Sequence, residues 1–167
     1  FPVSASVMFT CPWYQEAVDL LKQYRNVSVG VHLTLNAEWK NYRWGPVSGR
    51  SEVPSLVDSL GFFSPSRATF FAHKPTLEDV EKELRAQIER GLHSGLRIDY
   101  LDHHMGTAVD KPEMRALLET LAKEYGADGV FTDFDDALAG TSADAVYLAT
   151  PVHLHASQAA RALESGR

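Results

Sequence analysis

A single cysteine, Cys11, stands in a chain of 167 residues. No disulfide can form within the chain, and this leans toward a cytoplasmic setting. Basic residues are also in short supply: Lys and Arg number 16 against 22 Asp and Glu, a formal charge of −6. Binding a phosphate backbone needs clustered Lys and Arg, and no basic stripe interleaved with aromatics occurs, so a nucleic-acid partner is excluded. No apolar run approaches the roughly 20 residues that a bilayer-spanning helix requires, so a membrane partner is not expected. Internal repeats and low-complexity tracts are absent. The opening residues, Phe1-Pro2-Val3-Ser4, carry neither a starting Met nor a basic segment. They are read as interior sequence and not as a signal peptide.

What is present is ordinary in bulk, with 44% apolar and 23% charged residues, as in a globular protein of one domain, or of one domain plus a small appendage. Residues 3–10 are small and β-branched and suit a buried strand. Pro12 suits the first position of a helix whose apolar face is Trp13, Ala17, Leu20, Leu21 and Tyr24. A strand follows from Val27 to Leu35. Its Val27, Val29, Val31, Leu33 and Leu35 share one face, and Ser28, Gly30, His32 and Thr34 the other.

Residues 36–75 are irregular and aromatic, and a loop this long suggests a functional segment or lid. Thr76 and Asp79 predict a capping box ahead of a helix to about His93, striped by Leu77, Val80, Leu84 and Ile88. A strand is expected at Arg97 to Leu101. A helix opened by Asp110, Pro112 and Glu113 follows, lined by Met114, Leu117, Leu118, Leu121 and Tyr125 and stopped by Gly126. A strand near Val130–Phe134, a short helical turn and a strand at Ala145–Thr150 precede a last helix to about Glu164. Alternating strands and helices imply a largely parallel α/β architecture.

Two histidine motifs stand about seventy residues apart: Gly30-Val31-His32-Leu33-Thr34-Leu35 and Leu101-Asp102-His103-His104-Met105-Gly106-Thr107. Each falls where a strand should run out. Imidazole nitrogens are common ligands for divalent ions. His32 lies on the face that lacks aliphatic residues. Asp102 and His104 are two apart, so in a strand they point the same way and His103 points opposite. Asp102 suits either ligation or the orientation of a neighbouring imidazole. Histidines that share a metal must bring their rings within about 7 Å, since zinc–nitrogen bonds are near 2 Å. Hydrogen-bonded strand-end histidines with no metal are the plainer alternative.

From Val3 to about Tyr125 the chain resembles the YdjC-like, or ChbG-type, carbohydrate deacetylases. The residues that carry this are Ser6-Val7-Met8, Cys11-Pro12-Trp13, Gly30 to Leu35, Glu38 to Pro46, Ser55 to Asp58, Gly61-Phe62-Phe63 and Tyr100 to Thr107. The resemblance implies a partial (β/α)-barrel-like fold and a divalent metal, zinc or magnesium, used to remove acetyl groups from N-acetylated sugars or oligosaccharides. It maps two metal ligands onto His32 and His104. It leaves Asp102 as the candidate catalytic or supporting carboxylate, and Trp39, Tyr42 and Trp44 as a candidate wall for a sugar ring. The family's Asp ligand and a neighbouring Asp base belong upstream of Phe1, so two of three ligands and weak hydrolysis are expected. A domain that lacks its first strand would expose a sheet edge, which makes self-association into a homo-oligomer an expectation.

The ending differs. Asp144 to His155, with Ala149-Thr150-Pro151-Val152-His153 at its centre, and the following helix to Gly166 resemble the Gfo/Idh/MocA oxidoreductases. That resemblance implies a Rossmann-like βα appendage in which Thr150, Pro151 and His153 would face NAD(P). The Gly-rich phosphate loop of such domains is absent, so NAD(P) binding itself is not expected. Two domains follow, a deacetylase domain over 1–124 and a Rossmann-like fragment over 125–167. The last helix would dock through Ala156, Ala159, Ala160 and Leu163.

Overall fold

The computed structural model describes residues 3–127, 129, 131, 134–140 and 152–166. They fall into two compact units, Phe1–Leu121 and Ala122–Arg167. The first unit is built on a parallel sheet of β1 (Val3–Val7), β2 (Val27–Leu33) and β3 (Tyr100–His103), in that spatial order. The helices are α1 (Tyr14–Leu21), α2 (Arg67–Ala72), α3 (Leu77–Leu92) and α4 (Pro112–Glu124), which runs into the second unit. Among the described residues the sheet is open and three-stranded, and β1 is paired on one side only.

The alternation of β2 decides what covers the sheet. Val29, Val31 and Leu33 are buried on the apolar face. The side chains of Val80, Leu84 and Ile88 on α3 are buried as well, each worth roughly 1.5–3 kcal/mol. The approach is close at Gly91, where an added Cβ would come 2.6 Å from Val31 Cγ2. Two polar residues on α3, Glu83 and Gln87, are fully buried among these apolar ones. Gln87 accepts from Thr34 N (2.8 Å) and donates to Thr34 O (2.7 Å), serving the backbone just beyond β2. Glu83 accepts from Val47 N (2.9 Å), Ser48 N (3.0 Å) and the Ser48 hydroxyl (2.6 Å). Glu83 and Gln87, at spacing i, i+4, thus tie the long loop and the segment just beyond β2 to the helix.

Several expectations are corrected. β1 stops at Val7, and Val3, Ser4 and Ser6 are exposed along it, because a strand at a sheet edge is covered less than a central one. Pro12 precedes α1 by two residues. The helix buries Val18, while Trp13, Leu20 and Tyr24 are exposed. The stripe as read places the apolar residues on the outer side. Thr76 caps α3 by accepting from Asp79 N, but the Asp79 carboxylate accepts from Ser55 N (2.9 Å) and does not close the capping box. Leu77 stays 43% exposed.

β3 begins three residues later than expected. Asp99 first exchanges bonds with Val29, its N–H donating to Val29 O (2.7 Å) and its carboxylate accepting from Val29 N (3.0 Å). Part of the 36–75 loop is core: Trp44, Val53, Leu56, Phe63 and Phe70 are buried, while Trp39 and Leu60 are exposed.

The second unit contains α5 (Phe134–Gly140) and α6 (Val152–Glu164). Phe134, expected to end a strand, begins α5 instead. Asp135 and Asp136 supply the acidic first turn that favours a helix start. Arg161 pairs with Asp135 and lies over the Phe134 ring at 5.8 Å. α6 buries Gln158 and Ala162, while Leu163 of the predicted stripe is 75% exposed. The strand expected at Ala145–Thr150 lies outside the described residues.

Candidate imidazole–carboxylate site

The register of the sheet assembles the site. Ser6, Gly30 and Tyr100 occupy one rung across the three strands, and His32 and Asp102 share the rung two residues further along, on the same face. His104 lies one residue beyond β3, with its N–H donated to Leu33 O at 2.8 Å. The chain then turns through two left-handed residues, Met105 (φ 55°) and Gly106 (φ 72°). The turn delivers Thr107, whose hydroxyl bonds the Asn36 side chain.

The imidazoles of His32 and His104 meet edge to face with centroids 5.4 Å apart. His32 Nδ1 lies 2.8 Å from Asp102 Oδ1, and Ser6 Oγ donates to Asp102 Oδ2 at 2.8 Å. His104 Nε2 lies 2.9 Å from Glu38 Oε2. The two rings are thus held through different nitrogens by different carboxylates. Burial pulls the Asp102 carboxyl upward, but the hydrogen bonds from His32 and Ser6 outweigh it and hold it below its ordinary value. Glu38 behaves alike, its burial offset by His104, so it too lies below the usual carboxylate range. Partial burial of its ring lowers the His103 imidazole below its ordinary value.

An aromatic series runs out from the pair. Trp44 packs 6.4 Å from His104, Tyr42 6.2 Å from Trp44, and Trp39 6.5 Å from Tyr42. Trp13 stacks on Tyr42 at 5.5 Å and 20°. Trp44 is only 4% exposed and its indole N–H is buried without a partner among the described residues, whereas Trp39 is 62% and Trp13 70% exposed.

The predicted residues His32, Asp102 and His104 therefore come together, with Trp44 beside them and Tyr42 and Trp39 further out. Thr150 and Pro151 lie outside the described residues, and His153 is placed only as a position in α6. Glu38, Ser6, Tyr100 and Trp13 fall in the stretches that carry the family resemblance, but the sequence reading gave them no place in the site. Only strand register and loop path bring them in. As a metal donor set the described residues offer two imidazoles. No group of three or more His, Cys, Asp or Glu side chains among them converges as a metal cage. They fit two positions of a divalent centre and do not close it.

A parallel α/β sheet with paired imidazoles and carboxylates at its carboxyl edge defines an α/β protein of the kind that sites its chemistry at strand ends. The chain belongs to the YdjC-like protein family, whose family model matches residues 3–165. That span takes in the ending set above against the oxidoreductases, a resemblance that finds no support. The chain is 33% identical over 122 residues to a carbohydrate deacetylase of Brevibacillus brevis, covering 73% of this chain and 45% of that protein. It is 34% identical over 123 residues to one from Oceanobacillus iheyensis, covering 73% and 49%. A crystal structure from Enterococcus faecalis, of a protein with a proposed role in cellobiose-phosphate cleavage, superposes with a TM-score of 0.65. It shares 31% identity and covers 74% of this chain and 45% of its own. The chain thus spans just under half the length of these relatives. Among the described residues no helix is long and apolar enough to cross a membrane.

Proposed function

We propose that the chain acts in the hydrolysis of acetyl groups from N-acetylated sugars or oligosaccharides, with a divalent metal, zinc or magnesium, at the histidine pair. The observation that carries this reading is the 5.4 Å approach of His32 and His104, each backed by a carboxylate. A bound ion would polarise the amide carbonyl and make a water acidic enough to attack it. His32 and His104 would hold that ion together with a third ligand from outside the described residues. Asp102 fixes the orientation of His32, as carboxylates commonly do behind ligating imidazoles. Glu38 Oε2 is placed to accept the His104 Nε2 proton. Trp39 and Tyr42 offer ring faces to a sugar, and Trp13 extends them.

The test is calorimetric titration of zinc and of magnesium into the chain and into His32→Ala, with acetate release from N-acetylated oligosaccharides as the second readout. Binding at one ion per chain that the substitution abolishes supports the reading. Equal binding by both proteins, or none by either, sinks the metal site in this chain.

A further inference from the structure

Behind His32 the hydrogen bonds continue past Asp102 across the whole sheet. Ser6 has one hydroxyl hydrogen, and it goes to Asp102 Oδ2 at 2.8 Å. The 2.9 Å contact between Ser6 Oγ and the Tyr100 hydroxyl therefore has Tyr100 as donor. An ionised carboxylate only accepts, so the 2.8 Å contact of Asp102 Oδ1 with His32 Nδ1 places a hydrogen on Nδ1. Each link sets the direction of the next.

The path exists because Gly30 separates Ser6 and Tyr100 on their shared rung. Its missing side chain leaves the space the Tyr100 ring fills; a Cβ there would stand 2.2 Å from Tyr100 Cε2. Any other residue at position 30 would push the ring away from Ser6.

We infer that Ser6 and Tyr100 are positioning residues for His32: the chain Tyr100–Ser6–Asp102 holds the imidazole as its Nδ1–H tautomer and leaves the Nε2 lone pair as the ring's donor. In water a neutral imidazole favours the opposite tautomer, with its hydrogen on Nε2. Without Ser6 the Asp102 carboxylate loses the bond that stops it turning. Without the Tyr100 hydroxyl, Ser6 Oγ loses the donor that orients its own hydrogen toward Asp102. The use of that lone pair as a metal ligand rests on the function proposed above, but the tautomer does not.

The test reads the ring directly. Long-range proton–nitrogen NMR correlations of ¹⁵N-histidine protein are recorded above the imidazole titration range, with chelator present so that no metal sets the tautomer. The wild-type chain and Ser6→Thr, which keeps a hydroxyl in a residue suited to strands, should show His32 protonated on Nδ1. Ser6→Ala and Tyr100→Phe should move it toward a mixture with Nε2–H, at unchanged far-ultraviolet circular dichroism. A wild-type ring protonated on Nε2, or an Nδ1–H ring unmoved in both truncations, would overturn the inference. If the spectra behave as expected while the wild-type chain neither binds metal nor releases acetate, the proposed function fails and the positioning chain stands.

Discussion

His32 and Asp102 occupy the same rung of the β2–β3 ladder, and their side chains meet at 2.8 Å on the face of the sheet that α3 leaves uncovered. Parallel register puts paired residues side by side, so the contact is fixed by strand alignment and survives small side-chain adjustments. Asp102 remains 41% exposed at its side chain, so the pair can be altered without opening the core.

Replacing Asp102 with Ala should therefore leave the fold intact and act on the site. Removal of such a supporting carboxylate lowers metal affinity or activity by roughly 10–100-fold. Calorimetric metal titration and acetate release, compared with the wild-type chain, measure this. A melting temperature that falls steeply in the same variant would instead make the carboxylate a structural element.

Glu83 presents the opposite case, a fully buried carboxylate whose acceptors serve the loop at Val47 and Ser48. Glu83→Ala would strand two backbone N–H groups, each costing about 1–3 kcal/mol if left buried and unpaired. A loss of about 2–4 kcal/mol in urea denaturation is expected. A change under 1 kcal/mol would mean that water replaces the carboxylate readily.

The histidine pair was legible in the sequence because strand alternation sets His32 apart from the valines, and the two-residue spacing aligns Asp102 with His104. The partners were not. Glu38 reaches His104 from a loop with no period to read, and Ser6 and Tyr100 matter only through a register that local sequence does not state. Helix α1 misled for a physical reason: Trp13, Leu20 and Tyr24 recur at helical spacing, yet Val18 is the residue of the helix that is buried. A stripe identifies an apolar face without saying whether a partner lies against it. In the 36–75 segment Phe63, Phe70 and Trp44 are buried, which a stretch with no hydrophobic period did not announce.

Asp58 gives a pH dependence. Burial raises its carboxyl, but the Arg43 guanidinium at 2.7 Å and the N–H groups of Phe62 and Leu60 more than compensate, leaving it below its ordinary value. A depressed carboxylate stabilises the fold fully above its unfolded value, about 3.9, and that contribution is lost as pH falls through the lower folded value. The stability gap between wild type and Asp58→Asn should be constant from pH 7 to about 5 and should narrow below about pH 4. Urea midpoints at each pH check this. A gap that stays open at pH 3 would assign the effect to packing of the 58–62 turn.

The aromatic series separates two roles that sequence alone gave to one group. Trp44 is buried between His104 and Tyr42, so Trp44→Ala removes core and should cost about 3–5 kcal/mol. Trp39 is largely exposed, so Trp39→Ala should leave the urea midpoint nearly unchanged. If Trp39 forms a sugar face, its loss should raise KM for an N-acetylated oligosaccharide several-fold with little change in kcat, because it removes binding common to substrate and transition state. Tyr42 lies between them and should show both effects in reduced measure. Steady-state kinetics set beside denaturation of the three variants would decide the matter. A Trp39→Ala chain with unaltered KM would leave the exposed ring without a part in binding, and the sugar wall would then have to be sought at Trp13.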